Sequence, residues 1–116
     1  MTTTNKNSST SSAPMSSNNS VLANTARTVR FDLVKGKRAD FTKLFNSEVL
    51  PTLKKQDGFK NEVLLVQEDH VLGISMWNSP EALKSYETST YPAIERMLSP
   101  VLHGKPTIET YALAAI

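Results

Sequence analysis

Gly58–Leu83, GFKNEVLLVQEDHVLGISMWNSPEAL, is the stretch whose reading decides the fold. Its two apolar runs, Val63–Val66 and Val71–Trp77, flank the polar Gln67–His70, the pattern of a β-hairpin. Asn78-Ser79-Pro80-Glu81 then carries the marks of a helix start. A Ser or Asn oxygen can accept from the free N–H groups of a first turn, Pro80 has no N–H to leave unpaired, and Glu81 suits the positive end of the helix dipole.

Upstream, Thr28–Val34 (TVRFDLV) alternates Val29, Phe31 and Leu33 with Thr28, Arg30 and Asp32, which predicts a half-buried strand. After Lys35-Gly36-Lys37, the residues Phe41, Leu44, Phe45, Val49 and Leu53 recur at spacings of three and four, so an amphipathic helix is expected. Pro51 should kink it or end its first part, and Gly58 can take the left-handed cap. Downstream, a second helix presents Leu83 and Tyr86, breaks at Pro92, resumes with Ile94, Met97 and Leu98, and stops at Pro100. Thr107–Ala114 (TIETYALA) reads as the last strand. The order βαββαβ predicts an α+β, ferredoxin-like domain with a four-stranded antiparallel sheet and helices on one face.

Composition narrows the function classes. The 116 residues contain no Cys, which excludes disulfides, thiolate metal sites and Cys nucleophiles. Residues 1–24 are rich in Ser, Thr and Asn with Lys6 as their one charge, and are expected to be a disordered tail on a domain spanning 25–116. Setting Lys6 aside leaves 12 bases against 11 acids, no footprint for nucleic acid. An RNA-binding sheet would also need roughly two or three aromatics on its middle strands, where only Trp77 stands. No apolar run approaches the ~20 residues of a membrane span, so a cytoplasmic protein is expected.

Such a fold leaves one sheet face bare, and bare faces are normally covered. Alternation predicts Val29, Phe31, Leu33, Leu72, Ile74 and Met76 against the helices. Thr28, Arg30, Asp32, Gly73, Ser75 and Trp77 are then expected on the open face, with Thr107, Glu109 and Tyr111 of the last strand.

Several short motifs resemble the antibiotic biosynthesis monooxygenase-like domains of the dimeric α/β-barrel superfamily. They are Val49-Leu50-Pro51 followed by Gly58-Phe59, the hairpin ending in Trp77, Ser79-Pro80-Glu81-Ala82-Leu83, Tyr86, and Gly104-Lys105-Pro106 before Tyr111, together covering about Thr25 to Ile116. The resemblance implies a homodimer whose sheets close face to face, and a cofactor-independent oxygenation of a small phenolic or quinone compound. It also admits a non-catalytic binding or assembly module with a vestigial pocket. Haem-degrading members carry a His on the helix after the Trp, and that helix has none here. The phenol-oxygenating members have an Asn a few residues before the Trp, where this strand offers Gly73 and Ser75. On this reading Trp77, Tyr86, Tyr111 and Ser75 hold the ring, Asp32 or His103 takes the proton, Arg30 steadies the anion, and no metal or other cofactor is required.

Overall fold

In a computed structural model that describes residues 23–114, the chain follows the expected order. The tail, apart from Ala23 and Asn24, lies outside the described residues. Four strands, β1 (Thr25–Asp32), β2 (Phe59–Val66), β3 (His70–Trp77) and β4 (Thr107–Ala112), form one sheet in the order β2-β3-β1-β4 with every neighbouring pair antiparallel. Helices α1 (Arg38–Leu44), α2 (Leu50–Lys54), α3 (Pro80–Ser89) and α4 (Tyr91–Leu98) supply the second layer. Their buried side chains, among them Phe41, Leu53, Leu83 and Leu98, join Val29, Phe31 and Val71 of the sheet in one core.

The first helical segment shows how the sequence sets the wall of that core. Phe41, Phe45, Val49 and Leu53 are all buried at intervals of four. An α-helix turns every ~3.6 residues, so a stripe at intervals of four would drift off one face. The chain resolves this with a π-helical turn at Phe45–Val49 between α1 and α2, whose wider winding keeps the stripe inward. Pro51 sits in the first turn of α2, where its missing N–H is tolerated, so the break falls ahead of it.

Gly58 closes the segment at φ +82°, in the left-handed region. A Cβ at this position would come within 2.5 Å of both Ala82 Cβ and Asn78 Oδ1. Its carbonyl also accepts from Asn78 N–H at 2.8 Å, tying the start of the hairpin to the start of α3. Gly58→Ala combines a disfavoured backbone with a clash and should cost about 2 kcal/mol, read as a lower urea midpoint at unchanged slope. At the entry to α3, Ser79 Oγ accepts from Ala82 N–H at 3.1 Å and Pro80 follows it, as the sequence indicates.

Two expectations need correction. Strand β1 begins at Thr25, three residues sooner than the alternation suggested, and ends at Asp32. The face of β3 is the reverse of that expected. Val29 pairs with Gly73, Phe31 with Val71 and Thr25 with Trp77, so Val71, Gly73, Ser75 and Trp77 point at the helices and are buried. Leu72, Ile74 and Met76 therefore turn to the open face. Both faces of β3 carry apolar side chains, so hydrophobicity alone could not choose between them, and cross-strand register did. On the open face of β2, Leu65 is 52% exposed. The six side chains of β4 are all exposed.

Candidate active site

The chemistry-bearing side chains meet between the sheet and the helices, in a pocket walled by Phe31, Phe45, Val49, Leu53 and Ile94. Four polar side chains break this apolar lining: Arg27 from β1, Glu62 from β2, Ser75 from β3 and Tyr91 from the start of α4, with Tyr86 of α3 beside them. The free interior is about 20 Å3, room for roughly one water molecule.

Arg27 is the most constrained of these groups. Strand alternation sends it inward with Val29 and Phe31, and its side chain is only 4% exposed. Nε–H donates to Glu87 Oε2 on α3 at 2.9 Å. The guanidinium carbon lies 4.1 Å from the ring centre of Tyr91 and 5.6 Å from that of Tyr86, two cation–π contacts in a desolvated setting. Among the described residues its Nη2 has no hydrogen-bond partner, and neither has the Tyr91 hydroxyl. Two buried, unsatisfied polar atoms in one pocket call for a water or a ligand oxygen.

Glu62 reaches the same pocket across the bare backbone of Gly73. A Cβ on Gly73 would stand 3.1 Å from Glu62 Oε2, so the missing side chain makes space for the carboxyl group. Burial pushes this carboxyl up to about 7, against the pull of the nearby Arg27 charge. A carboxyl that changes charge near neutrality inside a cleft is a candidate acid or base. Burial likewise raises the Tyr86 and Tyr91 phenols, so both stay neutral donors.

The sequence-predicted residues divide into two groups. Ser75 and Tyr86 line the pocket. Trp77 lies behind them, wholly buried, its Nε1–H donating to Ser75 Oγ at 2.9 Å and its ring 5.0 Å from Tyr86. Arg30, Asp32, His103 and Tyr111 are elsewhere. Arg30 Nε–H donates to Asp32 Oδ1 at 3.0 Å, with both side chains about half exposed on the open face. His103 is exposed, its backbone N–H donating to the Asp32 carbonyl at 2.7 Å. Tyr111 is 49% exposed and its hydroxyl donates to Glu109 Oε1 at 2.6 Å. Arg27 and Glu62 were missed because both lie just outside the apolar runs that marked the strands. Arg27 does share the parity of Val29 and Phe31, which was the available signal. Among the described residues no group of three or more His, Asp or Glu is placed to hold a metal ion, and no helix is long and apolar enough to cross a membrane.

Among solved structures, the monooxygenase ActVA-Orf6 of Streptomyces coelicolor, in complex with nanaomycin D, superposes with a TM-score of 0.67. It is 16% identical, and the match covers 81% of this chain and 90% of that one. The cofactor-independent oxygenase SnoaB of Streptomyces nogalater gives a TM-score of 0.63 at 18% identity, over 82% and 95% of the two chains. A candidate antibiotic biosynthesis monooxygenase from Caulobacter crescentus gives 0.68 at 19% identity, over 82% and 93%. The fold is that of the antibiotic biosynthesis monooxygenase-like domains. This monooxygenase-like fold spans essentially the whole described chain, as the sequence motifs indicated. No protein-family profile and no curated protein matches the sequence.

Proposed function

We propose that the protein is a homodimeric, cofactor-independent oxygenase of a small phenolic or quinone-forming compound. The observation that carries this reading is geometric: a largely buried carboxyl, Glu62, shares one apolar pocket with a buried guanidinium that keeps a free N–H, and burial pushes that carboxyl up to about 7. Glu62 takes the proton of a bound phenol, and Arg27 Nη2 with the Tyr91 hydroxyl faces the oxygen that becomes negative. The electron-rich ring then reacts with dioxygen. One oxygen atom enters the ring as a carbonyl, the other leaves as water, and the substrate supplies all four electrons as a phenol becomes a quinone. Ser75, Tyr86 and the Trp77 behind them position the ring.

This assignment gives the proton-accepting role to Glu62 in place of Asp32 or His103, and the anion-facing role to Arg27 in place of Arg30. Arg30, Asp32 and Tyr111 then belong to the open sheet face, where Leu72, Ile74, Met76 and the exposed Leu65 form an apolar stripe suited to a second subunit. The oxygenases with the same fold support the reading.

Oxygen uptake with a library of phenols and hydroquinones tests it. Uptake is expected from wild type and should fall about 10²–10⁴-fold in Glu62→Gln; no uptake across the library would sink the proposal. The narrow interior favours a second reading, a binding module whose pocket no longer turns over ligand. Thermal stabilisation by the same phenols without oxygen uptake would establish that alternative.

A further inference from the structure

The ionisable groups of the pocket are not independent of one another. Arg27 on β1 supplies one positive charge, and Glu87 on α3 already answers it at 2.9 Å. Tyr86 and Tyr91 stay neutral. Glu95, the other carboxylate near Tyr91 on α4, is directed to Lys105 at 4.0 Å. Among the described residues Glu62 on β2 is the remaining titratable group facing the cavity, whose other lining is apolar or neutral apart from Arg27. A buried charge without a partner is expensive, and the one guanidinium is already matched.

We infer that the pocket accommodates a single negative charge beyond the Arg27–Glu87 pair, carried either by Glu62 or by a ligand oxygen, so that it selects neutral, weakly acidic hydroxyl compounds over carboxylates. This rests on the reading of the cleft as a ligand site but does not require oxygenation. With Glu62 ionised, a neutral phenol places its hydroxyl in the water-sized space beside Arg27 and its ring toward the mouth of the cleft; the O–H bond breaks, the proton passes to Glu62, and the electron pair stays on the oxygen facing Arg27 Nη2. No proton is exchanged with solvent. A carboxylate arrives already charged, so Glu62 must first take a proton from solvent. Glu87 is a positioning residue in this scheme: it fixes the guanidinium and sets how much negative charge the pocket tolerates.

The test is calorimetric titration of the wild-type protein with phenol and with benzoate from pH 5.5 to 8.5, in two buffers of different ionisation enthalpy so that protons are counted. Above pH 7, benzoate affinity should fall about tenfold per pH unit with uptake of about one proton per ligand. Phenol affinity should rise up to about pH 7, with release of about one proton per ligand, and level above it, where Glu62 takes the proton and none is exchanged with solvent. Glu62→Gln should flatten both curves, and Glu87→Gln, which leaves the guanidinium unmatched, should carry benzoate binding to higher pH. Parallel curves for the two ligands in wild type, or no binding of either at millimolar concentration, would overturn the inference whatever the variants do. Diverging curves of this form without oxygen uptake would leave it standing and remove only the proposed activity; uptake with parallel curves would do the reverse.

Discussion

At pH 8 the Glu62→Gln variant should be more stable than wild type by about 2–3 kcal/mol, while at pH 4 the two should unfold together. The cause is the burial that raises the Glu62 carboxyl from its ordinary 4.5 to about 7. The unfolded chain releases this proton near 4.5, but the folded chain holds it until about 7. Wild-type stability is therefore lost as pH rises through that window, and above it the full penalty of an ionised, poorly solvated carboxylate remains. Gln keeps the size and loses the charge, so its curve lacks that decline. Urea unfolding at pH 4, 6 and 8 checks the result; parallel profiles for the two proteins would mean that Glu62 is better solvated than its position over Gly73 implies. A side chain that weakens the fold at working pH is what a site residue looks like, since sites are held at some expense of stability.

Trp77→Ala should show the largest loss, about 3–5 kcal/mol. The side chain is wholly buried, meets Phe59 edge-on at 5.5 Å and Tyr86 at 5.0 Å, and donates to Ser75 Oγ. Removing it opens a cavity against three elements and leaves a buried hydroxyl short of its donor. Trp77→Phe keeps most of the volume and should cost less than half as much. Measured urea midpoints at unchanged slope separate the two variants. Equal losses would show that the indole N–H bond to Ser75, which both replacements remove, outweighs packing here.

The elements were legible because each had a local cause. The Ser79-Pro80 start of α3 and the left-handed Gly58 follow from the chemistry of their own residues and appear as read. The sheet faces were not legible to the same degree. Which side of β3 meets the helices depends on pairing with β1, information that no single strand contains when both of its faces are apolar. The site was legible only in part for a related reason. Ser75, Tyr86 and Trp77 belong to recognisable strand and helix patterns, whereas Arg27 and Glu62 are polar residues at inward positions, and they interrupt the patterns by which strands are read. Tyr91 precedes Pro92 at a break between helices, a place that could make it a pocket lid or only a turn aromatic, and only the fold lays its ring against Arg27.

The wide turn at Phe45–Val49 bears on where this chain can change length. That segment already contains the surplus residue that keeps four bulky side chains on a common line, and the hairpin start, Asn78 and Ala82 are keyed to where it ends. An insertion or deletion there would rotate everything downstream by about a quarter turn and pull Val49 and Leu53 off the pocket. Variation in length is better borne by the solvent-facing Gln67–Asp69 reversal, whose side chains are all exposed.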